Sequence, residues 1–376
     1  MAIKKYYATK DNTITNAFKA NLDTRGVSGN MGQSDVMEIF SIYAQANTSS
    51  SELSRLLVQF NTDTFSTDRT AGTIPASGSV SFYLRLYDAE HVQTTPKNFT
   101  LVASAVSRSW DEGNGLDMEE YSDVDASNWL SASDGILWTT GGGDYWDDLS
   151  SSFSQSFDTG FENLEVDISP LVEQWISSSA NSLTAVDMGL RTNYGVGVFL
   201  TSSNEDASSS YYTKKFFARG SQYYFKRPVI EARWDSSKKD NRGSFYLSSS
   251  LVPASDNLMK LYLYNISRGQ LTDIPGVGTG GLLVSVYSGT LANTAPTGYK
   301  IGLSVGGGTV TTLDINTTAS HVETGIYSCS FAYTSSAITT IFDVWHSGST
   351  STEYHTGTAV DVNTFDSEDY NFDQRY

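Results

Sequence analysis

The sequence predicts an all-β protein, and three observations carry that prediction. Short segments rich in β-branched and aromatic residues recur along the whole chain, separated by clusters of Gly, Ser, Asn and Asp. Aromatic residues make up 12% and charged residues only 18% of the 376 residues, a mixture that favours pleated sheets and turns over helices. Within single segments, apolar and polar residues alternate. This pattern is typical of antiparallel sandwiches rather than of alternating strands and helices.

The strand candidates of the first half follow one another at short intervals. In "SVSFYLRLY", Val80, Phe82, Leu84 and Leu86 alternate with polar or amphipathic residues, as a half-buried strand requires. The other candidates are "VMEIFSIYA", "SRLLVQFN", "FTLVASAVS", "NLEVDIS", "GVGVFLTS" and "RPVIEARW".

The one helix that the sequence predicts spans Pro170–Ser177. Ser169 can cap it, and Pro170 suits the first helical position. The apolar residues that share one side of this helix are Leu171, Trp175 and Ile176.

The length predicts two domains, each large enough for its own core. The segment "DSSKKDNRG" lacks apolar residues and is rich in turn formers, which places the boundary there. The expected organisation is a β-sandwich over 1–235, a linker over 236–243, a second and smaller β-sandwich over 244–362 and an acidic tail over 363–376.

The order of several segments in the first domain resembles the DNRLRE-type jelly-roll sandwich, a family related to carbohydrate-binding modules and found in surface proteins. The segments that carry the resemblance are "NMGQSD", "SRLLVQFN", "AGTIPASGSVSFYLRLY", "SRSWDEGN", "NLEVDISPLVEQWI", "NYGVGVFL" and "RPVIEARW". Each is weak alone, and their order carries the likeness. "DNR" at 240–242 lies outside the pattern. The resemblance implies a jelly roll for the first domain.

The second domain contains "ETGIYSCSF", which resembles the sixth strand of an immunoglobulin-like sandwich. Tyr327 and Cys329 have the spacing of a tyrosine corner. There is no second cysteine for the inter-sheet disulfide, and no Trp precedes the motif within the domain. We expect an immunoglobulin-like β-sandwich in which Cys329 is a buried apolar group rather than a nucleophile.

The segment Asp111–Asp125 concentrates seven carboxylates between two tryptophans. The leading interpretation is a solvated loop at the end of a sandwich, because water satisfies charges there. A calcium-ordered loop is the alternative, although no EF-hand register fits from Asp111. A catalytic carboxylate pair is the third interpretation, but clustering in sequence cannot show two acids facing each other across a groove.

Aromatic residues near "ILWTTGGGDYWDDL" suggest either a sugar-stacking platform or an ordinary end of the sandwich. Trp138, Tyr145 and Trp146 would supply the rings of a platform. In the structural interpretation, which we favour, the tryptophans close the sandwich and Gly141–Gly143 forms a turn.

Several motif matches are rejected. "GLSVG" at 302–306 fits a nucleophile elbow, but no helix is predicted after it. "GVGTGG" at 276–281 fits a dinucleotide fingerprint, but a strand follows it. The four histidines are His91, His321, His346 and His355. They lack zinc spacing, apart from a loose pair formed by the last two. The sequence therefore assigns no catalytic, cofactor-binding or metal-binding residue, and we expect no enzyme activity.

The charge and the termini limit the possible partners. A formal net charge of −18 repels phosphate backbones, so we expect no nucleic-acid partner. No stretch is apolar enough for membrane insertion, and the first residues lack the apolar core of an export signal. Modules of extracellular style without a leader are typical of virion proteins, which are made in the host cytoplasm and released by lysis.

The function that we expect is that of a structural protein of a tailed-phage virion, in capsid, neck or tail. Its partners would be other virion proteins or further copies of itself, and surface glycans are a weaker expectation. Docking is expected through sandwich edges and through both aromatic-rich termini, unless a terminus forms a strand within its own chain. The alternative is a carbohydrate-binding or adhesin module of an extracellular protein. A hydrolase whose acids converge only in the fold is a third, weaker hypothesis.

Overall fold

The structure, a computed structural model, describes residues 2–90, 96–122, 125–179, 190–208, 210–236, 238, 240–290, 296, 298–308, 313–335, 337, 339–347, 352–357 and 359–363. Of these residues, 9% are helical and 43% are in β-structure, which confirms the predicted all-β class. The chain divides into two units, Met1–Ser236 and Ser237–Tyr376. Each unit has a hydrophobic core of its own.

The first unit is built from short antiparallel strands. They are β1 (Ala2–Thr15), β2 (Gly29–Asn30), β3 (Val36–Tyr43), β4 (Ser51–Phe60), β5 (Ser81–Leu86), β6 (Phe99–Ala105), β7 (Asp117–Ser122), β8 (Ser131–Ser133), β9 (Ile136–Leu137), β10 (Ser152–Phe157), β11 (Leu164–Asp167), β12 (Val196–Leu200), β13 (Tyr212–Phe217) and β14 (Val229–Trp234). The main path runs β10-β6-β12-β4-β1-β14-β5-β11, and β3 joins β4 to β13.

The long strand β1 connects the two halves of this path. Residues 2–7 pair with β14 and residues 8–15 pair with β4, with a register shift between Ala8 and Lys10. Buried side chains from both halves share one core, in which Tyr6 packs on Phe65 with ring centroids 4.1 Å apart. The N-terminal aromatic residues therefore belong to an internal strand, which was the alternative to docking.

The edge strands β10 and β11 meet through the side chain of Gln155. Its Oε1 accepts a hydrogen bond from the Glu165 N–H at 2.6 Å, and its Nε2 donates to the Asn163 carbonyl at 2.9 Å. This amide satisfies backbone groups that an open edge would expose. These two edges are thus partly closed within the unit.

In the described part of the first unit, three α-helices accompany the sheets: α1 (Thr62–Thr70), α2 (Ser169–Ser179) and α3 (Ser202–Glu205). The predicted helix is confirmed as α2, but Ser169 is its first residue rather than its cap. The Asp167 carboxylate, just before the helix, accepts the Ser169 N–H at 2.9 Å. The prediction of a single helix is wrong. In α1 only Phe65 is buried, so the sequence shows no apolar stripe there.

The second unit contains a further set of strands. They are β15 (Phe245–Tyr246), β16 (Met259–Tyr264), β17 (Ile266–Ser267), β18 (Gln270–Leu271), β19 (Leu282–Ser288), β20 (Thr317–Glu323), β21 (Ile326–Phe331), β22 (Thr340–Ser347), β23 (Thr352–Thr356) and β24 (Val360–Asn363). The main path is β15-β24-β22-β19-β20-β21-β16, and β23 pairs with β22. The pairing of β15 with β24 is parallel.

Part of the predicted linker is bound to the second unit. The Asn241 N–H donates to the Lys260 carbonyl at 2.8 Å. Arg242 makes a two-pronged ion pair with the fully buried Asp343, at 2.6 and 2.7 Å. Residues 364–376 of the predicted tail lie outside the described residues.

The buried Tyr327 of β21 has a different bond from the one that an immunoglobulin-like corner requires. Its hydroxyl donates to the Gly278 carbonyl at 2.6 Å and accepts the Ile274 N–H at 3.1 Å. These partners lie about fifty residues upstream, whereas a tyrosine corner reaches only a few residues back. The immunoglobulin-like and jelly-roll arrangements remain predictions.

Candidate binding surface

The acidic segment Asp111–Asp125 is not a single loop, because it contains strand β7, which pairs with β2. Asp111 and Asp125 are exposed, and Glu112 is ion-paired. The side chains of residues 117–121, and residues 123–124, lie outside the described part of the chain. Among the described residues no group of three His, Cys, Asp or Glu side chains could hold a metal ion.

The start of this segment is fixed to the sheet by the fully buried side chain of Asn30. Its Nδ2 donates to the carbonyls of Glu112 at 2.8 Å and Ser127 at 2.7 Å. Its Oδ1 accepts the N–H groups of Gly32 at 2.9 Å and Gly115 at 3.0 Å. One amide thus satisfies four backbone groups on three stretches of chain.

Glu112 belongs to a partly buried ion cluster with Asp11 and Arg219. Its carboxylate accepts from the Arg219 guanidinium at 3.0 and 2.7 Å and from the Asp11 N–H at 2.8 Å. Burial raises the pKa of Asp11 to about 7. The hydrogen bond from the Arg219 N–H lowers this pKa, the negative charge of Glu112 raises it, and the positive charges of Arg219 and Arg227 lower it. The described acids of the cluster are thus held in structural contacts.

The tryptophans of the same region form a buried cluster on the sheet. Trp110, Trp129 and Trp138 are 1%, 8% and 5% exposed and pack with Ile14 and Leu57. The indole N–H of Trp138 donates to the Asn128 carbonyl at 2.9 Å. Trp138 therefore cannot offer a ring face to a sugar, as the platform hypothesis requires.

Trp146 is the one exposed ring of the predicted platform, and the Arg191 guanidinium lies 3.7 Å from its centroid. Tyr145 packs on Phe199, and its hydroxyl donates to the Gly142 carbonyl at 2.8 Å. Gly142 has a φ of +94°, a conformation that favours glycine. This geometry fits the predicted glycine turn and the structural role of the aromatic residues.

The single cysteine and two of the described histidines have structural partners or surroundings. Cys329 is 2% exposed, and burial raises the pKa of its thiol, which fits the predicted apolar role. His321 lies 3.1 Å from the Asp273 carboxylate and His346 lies 2.7 Å from the Ser285 hydroxyl. His355 is exposed on β23, and His91 lies outside the described residues.

The two rejected glycine motifs are not followed by helices in the described residues. Ser304, inside "GLSVG", is buried and donates to the Gly308 carbonyl at 2.8 Å. "GVGTGG" leads directly into strand β19. Neither place presents the strand-to-helix turn that these chemistries use.

The first unit presents an exposed aromatic turn at Tyr223–Arg227, which the sequence analysis missed. Tyr223, Tyr224 and Phe225 are 53%, 50% and 76% exposed. The turn is ordered, since the Tyr224 ring lies 4.6 Å from that of Tyr7. Three successive aromatic residues before "KRP" were the available signal, but they follow no strand or helix period.

Two cations accompany these rings. The Lys226 ammonium lies 5.6 Å from the Tyr223 ring centroid, and the Arg227 guanidinium lies 5.3 Å from that of Tyr224. Arg227 also donates to the Ser221 carbonyl at 2.9 Å. Neither cation forms an ion pair with a carboxylate among the described residues. The aromatic turn therefore combines exposed apolar area with positive charge on an acidic chain.

Comparisons with known proteins add no family to this picture. No family model matches the chain, and no curated protein is significantly similar to it. In the described part of the chain, every helix is too short or too polar to span a bilayer.

Proposed function

We propose that this chain is a non-enzymatic structural protein of a tailed-phage virion, which works by docking onto other virion proteins. The observation that carries the proposal is the aromatic turn Tyr223–Arg227. Interfaces are enriched in Tyr, Phe and Arg, and large exposed rings held in an ordered turn lose little conformational freedom on binding. The proposal places the protein in the particle after synthesis in the host cytoplasm.

The two β-rich units support a scaffolding role. Each unit contains a largely buried ion pair, Arg55–Glu205 in the first and Arg242–Asp343 in the second. Such pairs fix backbone segments and leave surface turns to make contacts. A jelly-roll first unit related to the DNRLRE type, followed by an immunoglobulin-like unit, remains our interpretation of this architecture.

The test is mass spectrometry of purified particles, with and without substitutions in the turn. We expect the chain in stoichiometric amount, and we expect Phe225→Ser to reduce incorporation at an unchanged melting temperature. Phe161→Ser is the matched control, because Phe161 is 58% exposed in the same unit. Absence of the chain from particles contradicts the proposal. Equal incorporation of both variants would show that the aromatic turn is not the docking surface.

The alternative is a carbohydrate-binding or adhesin module, and the same rings favour it. Pyranose rings stack on exposed aromatic faces, and Tyr223 and Tyr224 offer such faces where Trp138 does not. A glycan array that gives signal with the native chain and loses it with Tyr223→Ala plus Tyr224→Ala supports this alternative. An array without signal from the native chain eliminates it.

A further inference from the structure

The first unit carries a second exposed segment, Trp146–Leu149, which we call the acidic knob. Leu149 is 96% exposed, the highest value among the large apolar side chains of the described residues. Asp147, two residues before Leu149, is exposed, and Trp146 is 38% exposed. An apolar side chain close in sequence to an exposed carboxylate is the chemical complement of aromatic rings close to cations.

The acidic knob is an ordered turn. The Asp148 carboxylate accepts from the N–H and hydroxyl of Ser150 at 3.0 and 2.5 Å, and from Arg191 at 2.9 Å. These bonds hold the pKa of Asp148 well below its usual range, the Ser150 hydroxyl most of all. The Asp148 carbonyl accepts the N–H of Ser151 at 2.9 Å. Leu149 thus projects from a fixed backbone, which keeps the entropic cost of docking low.

We propose that the aromatic turn of one copy binds the acidic knob of a second copy, with Leu149 against Phe225 and Asp147 facing Lys226 and Arg227. This inference rests on the proposed docking function and names the partner of that surface. The exposed carboxylate of Asp147 has the charge that complements the exposed Lys226 of the aromatic turn. The acidic knob adds the exposed apolar side chain that the rings require.

The contact is heterologous, because the two surfaces come from different segments of the unit. A symmetric contact of turn on turn would bring the Lys226 and Arg227 side chains of both copies together, and like charges at an interface are unfavourable. A heterologous contact repeats from copy to copy, so that it builds a ring or a filament.

The test uses single-cysteine variants of the full chain, joined by a short bismaleimide crosslinker. The native Cys329 is 2% exposed, so that the unmodified chain gives little background. We expect Leu149→Cys mixed with Phe225→Cys to crosslink at least about tenfold more than either variant alone. In the control mixture, Leu137→Cys takes the place of Leu149→Cys, because Leu137 is also exposed (63%) but lies outside the acidic knob.

A charge swap sharpens the test. Lys226→Glu in the Phe225→Cys chain should strongly lower crosslinking, and Asp147→Lys in the Leu149→Cys chain should restore it.

Three results overturn the inference: crosslinking of the Leu137 mixture as strong as that of the knob mixture, crosslinking of Phe225→Cys alone as strong as the mixture, or no crosslinking at high protein concentration. In each case Phe225-dependent incorporation into particles would still support the proposed function with a different partner. Absence from particles together with specific crosslinking would instead leave a self-assembling protein of another kind.

Discussion

The first unit contains two aromatic clusters that differ in where the sheet lies beneath them. Trp110, Trp129 and Trp138 pack on side chains of β1 and β4 and are buried. Tyr223–Phe225 precede β14, and their rings remain exposed. Both clusters are suitable in composition for binding a ligand. The difference shows that the position of a ring over a sheet face, rather than its neighbours in sequence, decides whether it stabilises the fold or is available to a partner.

The cations next to the two clusters differ in the same way. Arg55 lies 5.5 Å from the Trp129 ring centroid and is neutralised by Glu205 at 2.9 and 2.6 Å. Lys226 is exposed and forms no ion pair with a carboxylate among the described residues, whereas the half-buried Arg227 donates to the Ser221 carbonyl. A cation in the interior needs a partner within its own chain, because burying an unpaired charge is costly. An exposed cation is solvated by water, so that it needs no partner in its own chain and remains available to another molecule.

The largest effect should come from truncating the buried cluster. We expect Trp110→Ala to lower the free energy of unfolding by about 3–5 kcal/mol, through lost burial and a cavity. Trp146→Ala, at the exposed ring, should cost less than about 1 kcal/mol. Urea unfolding followed by far-UV circular dichroism measures both. Equal losses would contradict the assignment of one ring to the core and the other to the surface.

A smaller loss of stability than at the buried tryptophan cluster is expected when the Asn30 amide, which fixes the acidic segment, is removed. Asn30→Ala removes the partner of four buried backbone groups and should cost about 2–3 kcal/mol. Asn21→Ala is the control, because its contacts are exposed and short in sequence. A loss below about 0.5 kcal/mol for Asn30→Ala would show that water replaces the amide.

A pH-dependent effect should appear at Asp11. Because burial raises its pKa to about 7, the folded chain holds a proton on Asp11 that the unfolded chain releases near pH 4. The contribution of Asp11 to the free energy of unfolding is therefore complete at low pH and is lost as the pH rises from about 4 to 7. We expect this loss to be at least about 1 kcal/mol. Asp11→Asn should remove that slope. Parallel profiles of melting temperature against pH for both chains would refute the assignment.

The smallest effect on stability is expected at the aromatic turn. Phe225→Ala should change the free energy of unfolding by less than about 0.5 kcal/mol, because most of the ring is already in water. Phe65→Ala, at a fully buried ring of the same unit, should cost about 3–5 kcal/mol. Comparable losses at the two positions would mean that the aromatic turn is part of the core.

Local patterns predicted the strands, and non-local contacts decided the sites. Alternation of Phe82, Leu84 and Leu86 indicated a strand because the period of a pleated sheet is written in successive residues. The burial of Trp138 and the anchoring of Glu112 could not be read in the same way. Asn30 lies 82 residues before Glu112, and nothing in a short window pairs them.

The two halves of β1 impose an order on the assembly of the first unit during synthesis. Ala2 pairs with Trp234, so that the strand made first waits for the strand made last before the β1–β14 ladder can form. Its other half can pair with β4 much earlier. Contacts of such long sequence separation slow folding, and an unpaired strand exposed in the interval is prone to pair with neighbouring chains. The nascent chain thus passes through a stage in which residues 2–7 have no partner strand. At this stage crowding would most favour pairing with neighbouring chains, and a chaperone would most reduce it.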